Sequence, residues 1–528
     1  MLLKIRQLVA DNLLHATALS FLTFFCLIIR RRIVAGRRNP KGLPLPPGPK
    51  GLPFVGLLFD RPVNKPWLTY AEWSKTYGDM IYFEVLGQPF LVLNSLKRVN
   101  DLLEKRSSNY SDRVGMPMAL DLMDWGFNFA FLPYGSWWRR HRRSFNEHFH
   151  QNTVHKYHPV QSREVREFLA RLLVTPENFM HHIRHTFAAT IMSAAYDISV
   201  KLSEDPYICR AEESLAGIAA AGIPGTFLVD FIPALKYVPS WLPGASFKRK
   251  AAYWKKINHD LTEIPFKHVE DQMKAGKASP SISAALIEGL PPQNDPKYKE
   301  EREIAKDAAA ISYIAGADTT VSSVQSFFLA MALYPEIQKK AQAELDRVVG
   351  PHRLPDFSDR PELPYINALV KETSRWNLVL PLAIGHMVSD DDEYDGYFIP
   401  KGTVVYGNAC AILHDPTVYT NPSEYNPERY LNPGPNVRDP DCAAFGFGRR
   451  ICPGRHMSDN SLFSIIASTL AVYDIKPSVD AKGNPMKPKP EFTTGLLTYP
   501  VPFKCTITPR NRAAEDLIRE SVSATHND

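Results

Sequence analysis

Hydrophobic and polar positions fall into two kinds of pattern along this chain. Residues 79–95 contain two short, mostly apolar runs separated at Gly87-Gln88, which is typical of two strands joined by a tight turn. Elsewhere the helical period dominates. The longest helical pattern runs from about Glu300 to Leu333 and stops before Pro335, because proline cannot continue a helix. The pattern therefore predicts a mainly α fold with a smaller β region.

Two further helices are predicted after prolines. One follows Pro364, and the other follows Pro453 and reaches about Tyr473. Between them, residues 376–430 are broken by turns and short strand-like runs. Neither a flexible linker nor an internal repeat divides the chain, so we expect one large body over residues 54–528.

An apolar run precedes this body. Leu13–Ile29 is at the short end of what crosses roughly 30 Å of hydrocarbon, and it stops at the arginines of residues 30–32. A cleaved signal peptide carries its positive charge before the apolar run, so the pattern predicts a retained anchor with the body in the cytosol. A core helix is the alternative. We assign residues 1–40 to a single transmembrane helix with its basic stop-transfer segment, and the proline-rich residues 41–53 to a stiff hinge.

A second stretch suggests contact with a membrane. Residues 222–243 are apolar but contain four prolines. A core segment is rarely interrupted so often, because each proline removes a backbone donor. The stretch predicts either a shallow membrane contact or a buried loop.

The charge of the chain is concentrated near its start. The formal net charge is +6, whereas the first 50 residues carry nine Lys/Arg and one Asp, a net +8. The rest of the chain therefore sums to −2. A nearly neutral body does not suit a polyanion, so we expect no nucleic-acid partner.

The cysteines form neither a disulfide framework nor a zinc motif. They are Cys26, Cys209, Cys410, Cys442, Cys452 and Cys505. Their scattered spacing contains no Cys-x-x-Cys pair. We therefore expect a reducing compartment for most of the chain.

One cysteine lies in an unusual loop, Phe445-Gly-Phe-Gly-Arg-Arg-Ile-Cys-Pro-Gly454. The proline after Cys452 suits the first position of a helix, which would place the thiol where the helix dipole lowers its pKa. Gly448 and Gly454 let the backbone approach a flat or bulky group, and Arg450 supplies a cation for an acid group. These features describe a haem ligand, whereas an inert buried cysteine would explain neither the glycines nor the arginine.

The loop resembles the haem-binding signature of the cytochrome P-450 superfamily. The matching positions are Phe445, Gly448, Arg450, Cys452 and Gly454. The resemblance implies the cytochrome P-450 fold and heme b (iron protoporphyrin IX) as cofactor. It also implies that Cys452 is the axial ligand of the iron and that Arg450 pairs with a haem propionate.

The resemblance extends over essentially the whole body, from about Leu45 to Thr508. It is closest to basidiomycete fungal members of the superfamily, including the tryptamine 4-hydroxylases. The stretches that carry this likeness begin at Trp67 (Trp-Leu-Thr-Tyr), Asp101 (Asp-Leu-Leu-Glu-Lys-Arg) and Phe492 (Phe-Thr-Thr-Gly).

A second motif, Ala315-Gly-Ala-Asp-Thr-Thr320, lies midway along the longest predicted helix. Its small residues would let a flat cofactor and an oxygen molecule lie against the helix. Asp318 and Thr319 place an acid beside an alcohol, which is what proton delivery to bound oxygen needs. A solvated helix face is the alternative for an isolated Asp-Thr pair.

A third motif has a structural meaning. Glu372 and Arg375 share one helix face, because residues three apart are neighbours on a helix. The resemblance adds Arg429 as a third member, in a triad that locks the segment holding the cysteine loop. The family more often has Phe where Tyr430 stands.

A fourth motif is basic and aromatic. Trp138 and Arg142 lie four residues apart on one predicted helix face, and by themselves could belong to a phosphate-binding or membrane-surface face. The resemblance instead implies that both contact a propionate, which leaves the neighbouring basic residues exposed to a redox partner. His386 is either a further propionate contact or a satisfied core histidine.

The resemblance implies a haem-thiolate monooxygenase that inserts one oxygen atom from O2 into a lipophilic small molecule, a secondary metabolite or a xenobiotic. The chain has neither a Gly-x-Gly-x-x-Gly fingerprint nor length for a flavin domain, so we expect electrons from a separate NADPH-cytochrome P-450 reductase. The expected location is the endoplasmic reticulum membrane, crossed once, with a cytosolic catalytic domain. The expected cavity lining is mostly apolar and comprises residues 116–131, 314–315, 379–383 and Leu496.

Two other functions are compatible with parts of the sequence. One is a haem-thiolate isomerase or dehydratase that does not use O2, although such enzymes tend to lack the acid–alcohol pair. The other is a non-enzymatic zinc or haem-sensing protein, built on the histidine cluster at positions 141, 148, 150, 155 and 158. That cluster lacks a His-Glu-x-x-His pattern.

Overall fold

A computed structural model of the chain describes residues 36–222, 226–434 and 436–525. These residues are mainly helical with small sheets, as the hydrophobic pattern predicts. The predicted anchor, Leu13–Ile29, lies outside the described residues. Within the described ranges, no helix is both long and apolar enough to span a bilayer.

The helices account for most of the described chain. The α-helices are α1 (Pro66–Tyr77), α2 (Leu96–Val99), α3 (Ser107–Tyr110), α4 (Ser136–Phe149), α5 (His158–Val174), α6 (Phe179–Tyr196), α7 (Pro206–Ala221), α8 (Ser246–Lys274), α9 (Ile282–Glu288), α10 (Tyr298–Leu333), α11 (Pro335–Val348), α12 (Pro364–Trp376), α13 (Ala409–Leu413), α14 (Arg455–Val472) and α15 (Arg512–Thr525). Two π-helical segments, Asn100–Lys105 and Met118–Leu122, lie between the shorter helices. The predicted long helix is α10, and Pro335 begins α11, where its missing N–H costs nothing.

Among the residues that the structure describes, ten short strands form the β region. They are β1 (Met80–Val85), β2 (Gln88–Leu93), β3 (Asp112–Arg113), β4 (His386–Met387), β5 (Asp392–Tyr394), β6 (Tyr397–Ile399), β7 (Val404–Gly407), β8 (Tyr473–Val479), β9 (Pro485–Met486) and β10 (Cys505–Pro509). The first sheet has the order β1-β2-β7-β4-β3, the second β10-β8-β9, and the third pairs β5 with β6.

The predicted strand–turn–strand is confirmed. In the β1–β2 hairpin Val85 faces Gln88, and Leu86 and Gly87 between them have φ of 49° and 80°. Two consecutive left-handed residues form the turn that matches the twist of a hairpin. Strand β7 then adds to β2 in parallel, so that a segment more than 300 residues later completes the sheet.

Helix α10 is the central element of the fold. It packs against α4, α6, α8 and α14, and its C-terminal half, from Thr320 to Ala332, is buried on all sides. A helix buried on all sides belongs to the protein core, and buried hydroxyls in this half are bonded internally, as Ser326 is to the Ser322 carbonyl. The Ala315–Thr320 motif of α10 therefore lies among these packed helices.

The proline-rich segment is bound to the body. The carbonyl of Pro44 accepts a hydrogen bond from Phe398 N at 2.9 Å, and that of Pro47 accepts one from Tyr82 N at 2.9 Å. A Cβ atom on Gly48 would lie 1.8 Å from the Tyr82 carbonyl oxygen, so only glycine fits this approach. The predicted hinge therefore lies along the edge formed by β1 and β6.

Candidate active site

The cysteine loop, Phe445–Gly454, is a closed turn. Cys452 N donates to the Phe445 carbonyl at 2.8 Å, around a short 3₁₀ turn at Gly448–Arg450. Gly448 has a φ of 60°, and a Cβ atom on it would lie 2.1 Å from the Leu103 carbonyl oxygen. Gly448 is therefore required by contact with the neighbouring π-helical segment, a close approach to protein backbone that the sequence did not reveal.

Two predictions about the cysteine were wrong. Helix α14 begins at Arg455 with Gly454 as its N-cap, so Pro453 lies in the preceding turn and not at the first helical position. Burial raises the pKa of the Cys452 thiol; the backbone N–H groups of Gly454 and Arg455 and the charges of Arg142 and Arg455 act in the opposite direction. Burial outweighs them because it removes water from the thiolate. A metal cation bound to the sulfur would reverse the balance.

Two buried guanidiniums and one half-buried guanidinium lie near this loop. Arg450 donates to the carbonyls of Ser111 at 2.8 Å, Leu132 at 2.8 Å and Phe129 at 3.3 Å. Its guanidinium also lies 4.3 Å from the ring centroid of Trp138, the residue of α4 that was expected at a propionate. The geometry holds the Arg450 side chain in place through neutral groups alone.

The second guanidinium belongs to a residue that sequence reasoning missed. Arg113 on β3 donates to the carbonyls of Ala130 at 2.8 Å, Ile384 at 2.7 Å and Gly385 at 3.0 Å. Burial lowers the pKa of Arg113 well below its usual value, and the charge of Arg450 lowers it further. The sequence offered no signal for Arg113, because its position depends on the pairing of β3 with β4.

The third guanidinium is that of Arg142. Burial lowers the pKa of Arg142 to about 10, the charge of Arg455 lowers it further, and a thiolate at Cys452 would raise it. The charge of Arg142 also lowers the pKa of Arg450, whose guanidinium lies 4.3 Å from the ring centroid of Trp138. The assignment of Trp138 and Arg142 to one propionate stays a prediction.

These cations fit an anionic cofactor. Within the described chain, none of Arg113, Arg142 and Arg450 has a carboxylate at ion-pair distance. The charge of Asp112 does act on Arg113 and Arg450 and partly offsets the loss of water around them. A buried charge without a counter-ion costs several kcal/mol. Haem b carries two carboxylates, and such a group beside the cysteine would neutralise most of this charge.

His386 is fully buried in the same region. Burial lowers its pKa well below the usual value, and the charge of Arg113 lowers it further. Its Nδ1 lies 2.6 Å from the Tyr110 carbonyl, which makes Nδ1 the protonated nitrogen of a neutral ring. Nε2 then has no proton to donate to a propionate. The geometry favours the core-histidine alternative.

The motif on α10 exposes one narrow face. Ala315 is exposed and Thr319 is half-buried, while the helical turns before and after them are buried. Thr319 Oγ1 donates to the Ala315 carbonyl at 2.8 Å. Gly316 packs against Ile191 of α6, since a Cβ atom on it would lie 3.2 Å from that side chain. One face of the motif is therefore open, and its glycine serves helix packing.

Asp318 and Thr319 do not bind each other. Asp318 is buried, with its Oδ1 accepting a hydrogen bond from Arg184 Nη1 at 2.6 Å and its Oδ2 accepting one from the hydroxyl of Tyr499. Arg184 and Tyr499 lie far from Asp318 in the sequence, so no local pattern could have identified them. The acid and the alcohol are neighbours on the helix with separate partners.

The helix that carries this motif is tied to the helix after the cysteine loop. The hydroxyls of Thr320 on α10 and Ser458 on α14 lie 3.3 Å apart. Ser458 N in turn bonds to the Gly454 carbonyl at 3.0 Å, at the end of the loop. The helix that carries the motif is therefore packed against the helix that follows the cysteine loop.

Comparison with known proteins identifies the family. The family model described as cytochrome P-450 matches residues 46–507. The chain belongs to the cytochrome P-450 family. The resemblance read from the cysteine loop is confirmed.

Similar proteins come from basidiomycete fungi. A cytochrome P-450 monooxygenase of Coprinopsis cinerea is 50% identical over 498 residues, which cover 93% of this chain and 94% of the relative. One of Postia placenta is 44% identical over 489 residues, covering 91% and 94%. The tryptamine 4-monooxygenase of Psilocybe cyanescens is 41% identical over 486 residues, covering 90% and 95%.

The predicted triad of this cytochrome P-450 is brought together. Arg375 Nε and Nη2 donate to the two oxygens of Glu372, each at 2.8 Å, and neither side chain is exposed. Arg429 Nε lies 3.2 Å from Glu372 Oε2. Asn426 N also donates to Glu372, at 2.8 Å. The hydroxyl of Tyr430, where the family more often has Phe, finds no hydrogen-bond partner in the described chain.

The histidine cluster does not form a metal site. In the part of the chain that the structure describes, no group of three or more His, Cys, Asp or Glu side chains lies close enough to hold a metal ion. His141 instead faces Asp307 of α10, with Nε2 3.1 Å from the carboxylate. The described structure therefore does not support a zinc site at these histidines.

Two acids in the expected lining segment 116–131 pair with lysines. Asp121 lies 2.8 Å from Lys236, and Asp124 lies 3.4 Å from Lys255. All four side chains are partly or largely exposed. Their exposure and pairing indicate ordinary surface ion pairs.

Proposed function

We propose that this chain is a haem-thiolate monooxygenase, inserting one oxygen atom from O2 into a lipophilic small molecule, either a secondary metabolite or a xenobiotic. The observation that carries the proposal is the group of guanidiniums near Cys452, with Arg113 and Arg450 buried, Arg142 half-buried, and backbone carbonyls as the hydrogen-bond acceptors of Arg113 and Arg450. Family membership and the names of the fungal relatives support it.

Each residue of the site has a role in this proposal. Cys452 would bind the haem iron, while Arg113 and Arg450 would hold the acid groups and Trp138 would support Arg450. When bound, the haem supplies the reductive activation of O2, in which substrate RH, O2, two electrons and two protons give ROH and water. Asp318 and Thr319, on either side of the open face, would handle the protons.

The electrons must come from another protein. The proposal includes an NADPH-cytochrome P-450 reductase that docks near the cysteine loop. Arg139, Arg143 and Arg449 are exposed around this loop, whereas Arg140 pairs with Glu300 and Glu301. Arg139 and Arg449 lie over the ring of Tyr134, and among the described residues neither they nor Arg143 form an ion pair. Exposed cations on this side suit an acidic partner surface, because complementary charge speeds encounter.

We place the protein at the endoplasmic reticulum membrane as part of the same proposal. Leu228, Ile232, Tyr237 and Trp241 are between 51% and 78% exposed, which is unusual for large apolar side chains in a soluble surface. They follow helix α7, and this supports the shallow membrane contact expected for residues 222–243.

A second exposed apolar group lies on the same side. It comprises Leu52, Phe54, Phe59 and Val63, all more than half exposed. Lys65 N, just after this group, donates to Thr494 Oγ1 at 2.9 Å. The segment that follows Thr494 reaches α7, because Leu496 lies 4.0 Å from where a Cβ of Gly222 would be.

The two apolar groups therefore flank one loop and could face one bilayer. Deleting residues 1–40 should release part of the protein from membranes in a fractionation. Replacing Trp241 and Tyr237 by Ser in the truncated protein should release most of the remainder. Complete release by truncation alone would contradict the second contact.

The carbon monoxide difference spectrum of the reduced protein tests the haem assignment. We expect the red-shifted band of a thiolate-ligated haem, and its loss in Cys452→Ser. Cys410→Ser is the matched control, because burial raises the pKa of Cys410 to about 12 and its thiol bonds to His414, away from the loop. A band that survives in Cys452→Ser would overturn the assignment.

Reductase-dependent turnover tests the reaction itself. Membranes that contain the protein and a reductase should convert one member of a panel of indoles, terpenes and polycyclic aromatics, with NADPH and O2 both required. Conversion that needs neither would instead identify a haem-thiolate isomerase or dehydratase.

A further inference from the structure

The buried acid of α10 is held by two donors from opposite sides. Arg184 on α6 binds Asp318 Oδ1 at 2.6 Å, and Tyr499 donates its hydroxyl to Asp318 Oδ2. Arg184 is one-third exposed and also lies 3.8 Å from Glu212 on α7. With both oxygens occupied, the carboxylate faces α6 and Tyr499, and its side chain makes no hydrogen bond to Thr319.

Tyr499 belongs to a segment that is fastened to the expected substrate cavity. Thr498 N donates to the Val379 carbonyl at 3.0 Å, and Thr498 Oγ1 bonds to the Leu378 carbonyl. Ser322 of α10 donates to the Thr498 carbonyl. Residues 379–383 and Leu496 are two of the predicted lining segments, so Tyr499 lies at the junction between the lining and the acid.

We propose that Tyr499 is a positioning residue, which holds Asp318 turned away from the open face of α10 and couples its release to movement of the 494–499 segment by bound substrate. The proposal rests on the proposed monooxygenase function. A hydrogen bond between a phenol and a carboxylate is a charge-assisted one, and it is among the stronger hydrogen bonds in proteins. Without substrate, the acid stays latched and does not deliver a proton.

The geometry around the phenol agrees with a latch. Burial raises the pKa of Tyr499, and the charge of Asp318 raises it further, so the hydroxyl stays protonated and remains a donor. Tyr499 N is itself held by Thr493 Oγ1 at 3.0 Å. The phenol of Tyr499 therefore moves with the 494–499 segment. A substrate that displaces Leu496 would also lengthen the hydrogen bond between the Tyr499 hydroxyl and Asp318.

Tyr499→Phe tests the latch, because it removes only the hydroxyl. We measure NADPH consumption by the reductase-supported holoenzyme without substrate. The expected result is a rise of about tenfold, the factor that corresponds to ~1.4 kcal/mol in a barrier. Tyr313→Phe is the matched control, since Tyr313 is also buried, lies on α10 and has a hydroxyl with no partner among the described residues. The control should leave the rate unchanged.

A second measurement does not depend on turnover. The midpoint of thermal unfolding is recorded for Tyr499→Phe, Asp318→Asn and the double variant. If the two side chains bind each other, the double variant loses less than the sum of the single losses. Tyr313→Phe combined with Asp318→Asn should give additive losses.

The outcomes separate the two proposals. An unchanged substrate-free rate in Tyr499→Phe, or additive losses in the unfolding cycle, would overturn the latch. Absence of reductase-dependent NADPH consumption in the unmodified protein would instead overturn the monooxygenase proposal, and the unfolding cycle would still decide whether Tyr499 holds Asp318.

Discussion

Arg113 and Arg450 are both buried, the charge of Arg450 lowers the pKa of Arg113, and backbone carbonyls accept the hydrogen bonds of both guanidiniums. Two like charges in a protein interior destabilise it unless an anion binds between or beside them. The pair therefore suits the acid groups of the proposed haem, and the first prediction tests this role.

Arg113→Met should lower haem content. The variant keeps most of the side-chain volume but loses a cation. We therefore expect the affinity for haem to fall 10- to 100-fold, a loss of about 1.4–2.8 kcal/mol in binding free energy. The measurement is haem per protein after purification and the rate of haem transfer to a competing apoprotein. Arg139→Met, at an exposed position of α4, is the control and should retain full haem. Equal haem content in the two variants would contradict the role of Arg113.

Glu372→Gln should destabilise the whole protein. The substitution leaves the buried guanidiniums of Arg375 and Arg429 facing a neutral amide, and removing one member of a buried ion pair costs about 3–5 kcal/mol. Unfolding in guanidinium chloride measures the loss. Glu300→Gln breaks a surface pair with Arg140 and should cost about 0–1 kcal/mol. Similar losses of unfolding free energy in the two variants would show that the triad stabilises the protein no more than a surface ion pair does.

Thr319→Ala should separate NADPH consumption from product formation. Its hydroxyl bonds only to the Ala315 carbonyl, so haem content and substrate binding should stay close to normal. We expect product per NADPH to fall several-fold while hydrogen peroxide rises. Asp318→Asn should instead slow NADPH consumption, because the acid is lost and the alcohol remains.

Thr320→Ala is the neighbouring control for coupling. The Thr320 hydroxyl is buried against Ser458 and away from the open face. Its loss should affect packing without raising peroxide. Unchanged coupling in Thr319→Ala would remove the threonine from proton delivery.

Stability should fall as the pH drops from about 6.5 toward 4. Burial lowers the pKa of His148, His185 and His414 to about 4. In this window the unfolded chain binds protons that the folded protein excludes, so acid favours unfolding, by up to about 1.4 kcal/mol per pH unit for each histidine.

His185→Gln should flatten this dependence. His185 Nε2 lies 3.0 Å from the Lys201 carbonyl, a bond that a glutamine amide can replace. The free energy of unfolding, measured between pH 5 and 7, should have a smaller slope in the variant. His259→Gln, at an exposed position of α8, is the control and should keep the original slope.

The sequence alone determined the family, the mainly helical class and the principal helices. These depend on local features: the period of apolar residues fixes α10, prolines set the ends of α10 and α12, and the signature around Cys452 is contiguous. Because each of these patterns involves residues that are neighbours in the sequence, it can be recognised without the tertiary structure.

Only the tertiary structure decided how the site is completed. Arg113, Arg184 and Tyr499 reach the site from three distant segments, and a side chain that acts across such a distance leaves no mark on its own neighbours in sequence. The pKa of Cys452 likewise depends on how much water the fold removes, which the position of Pro453 does not reveal. The sequence shows which functional groups are adjacent in the chain. How deeply each group is buried and which distant side chains it contacts are decided by the packing of the folded protein.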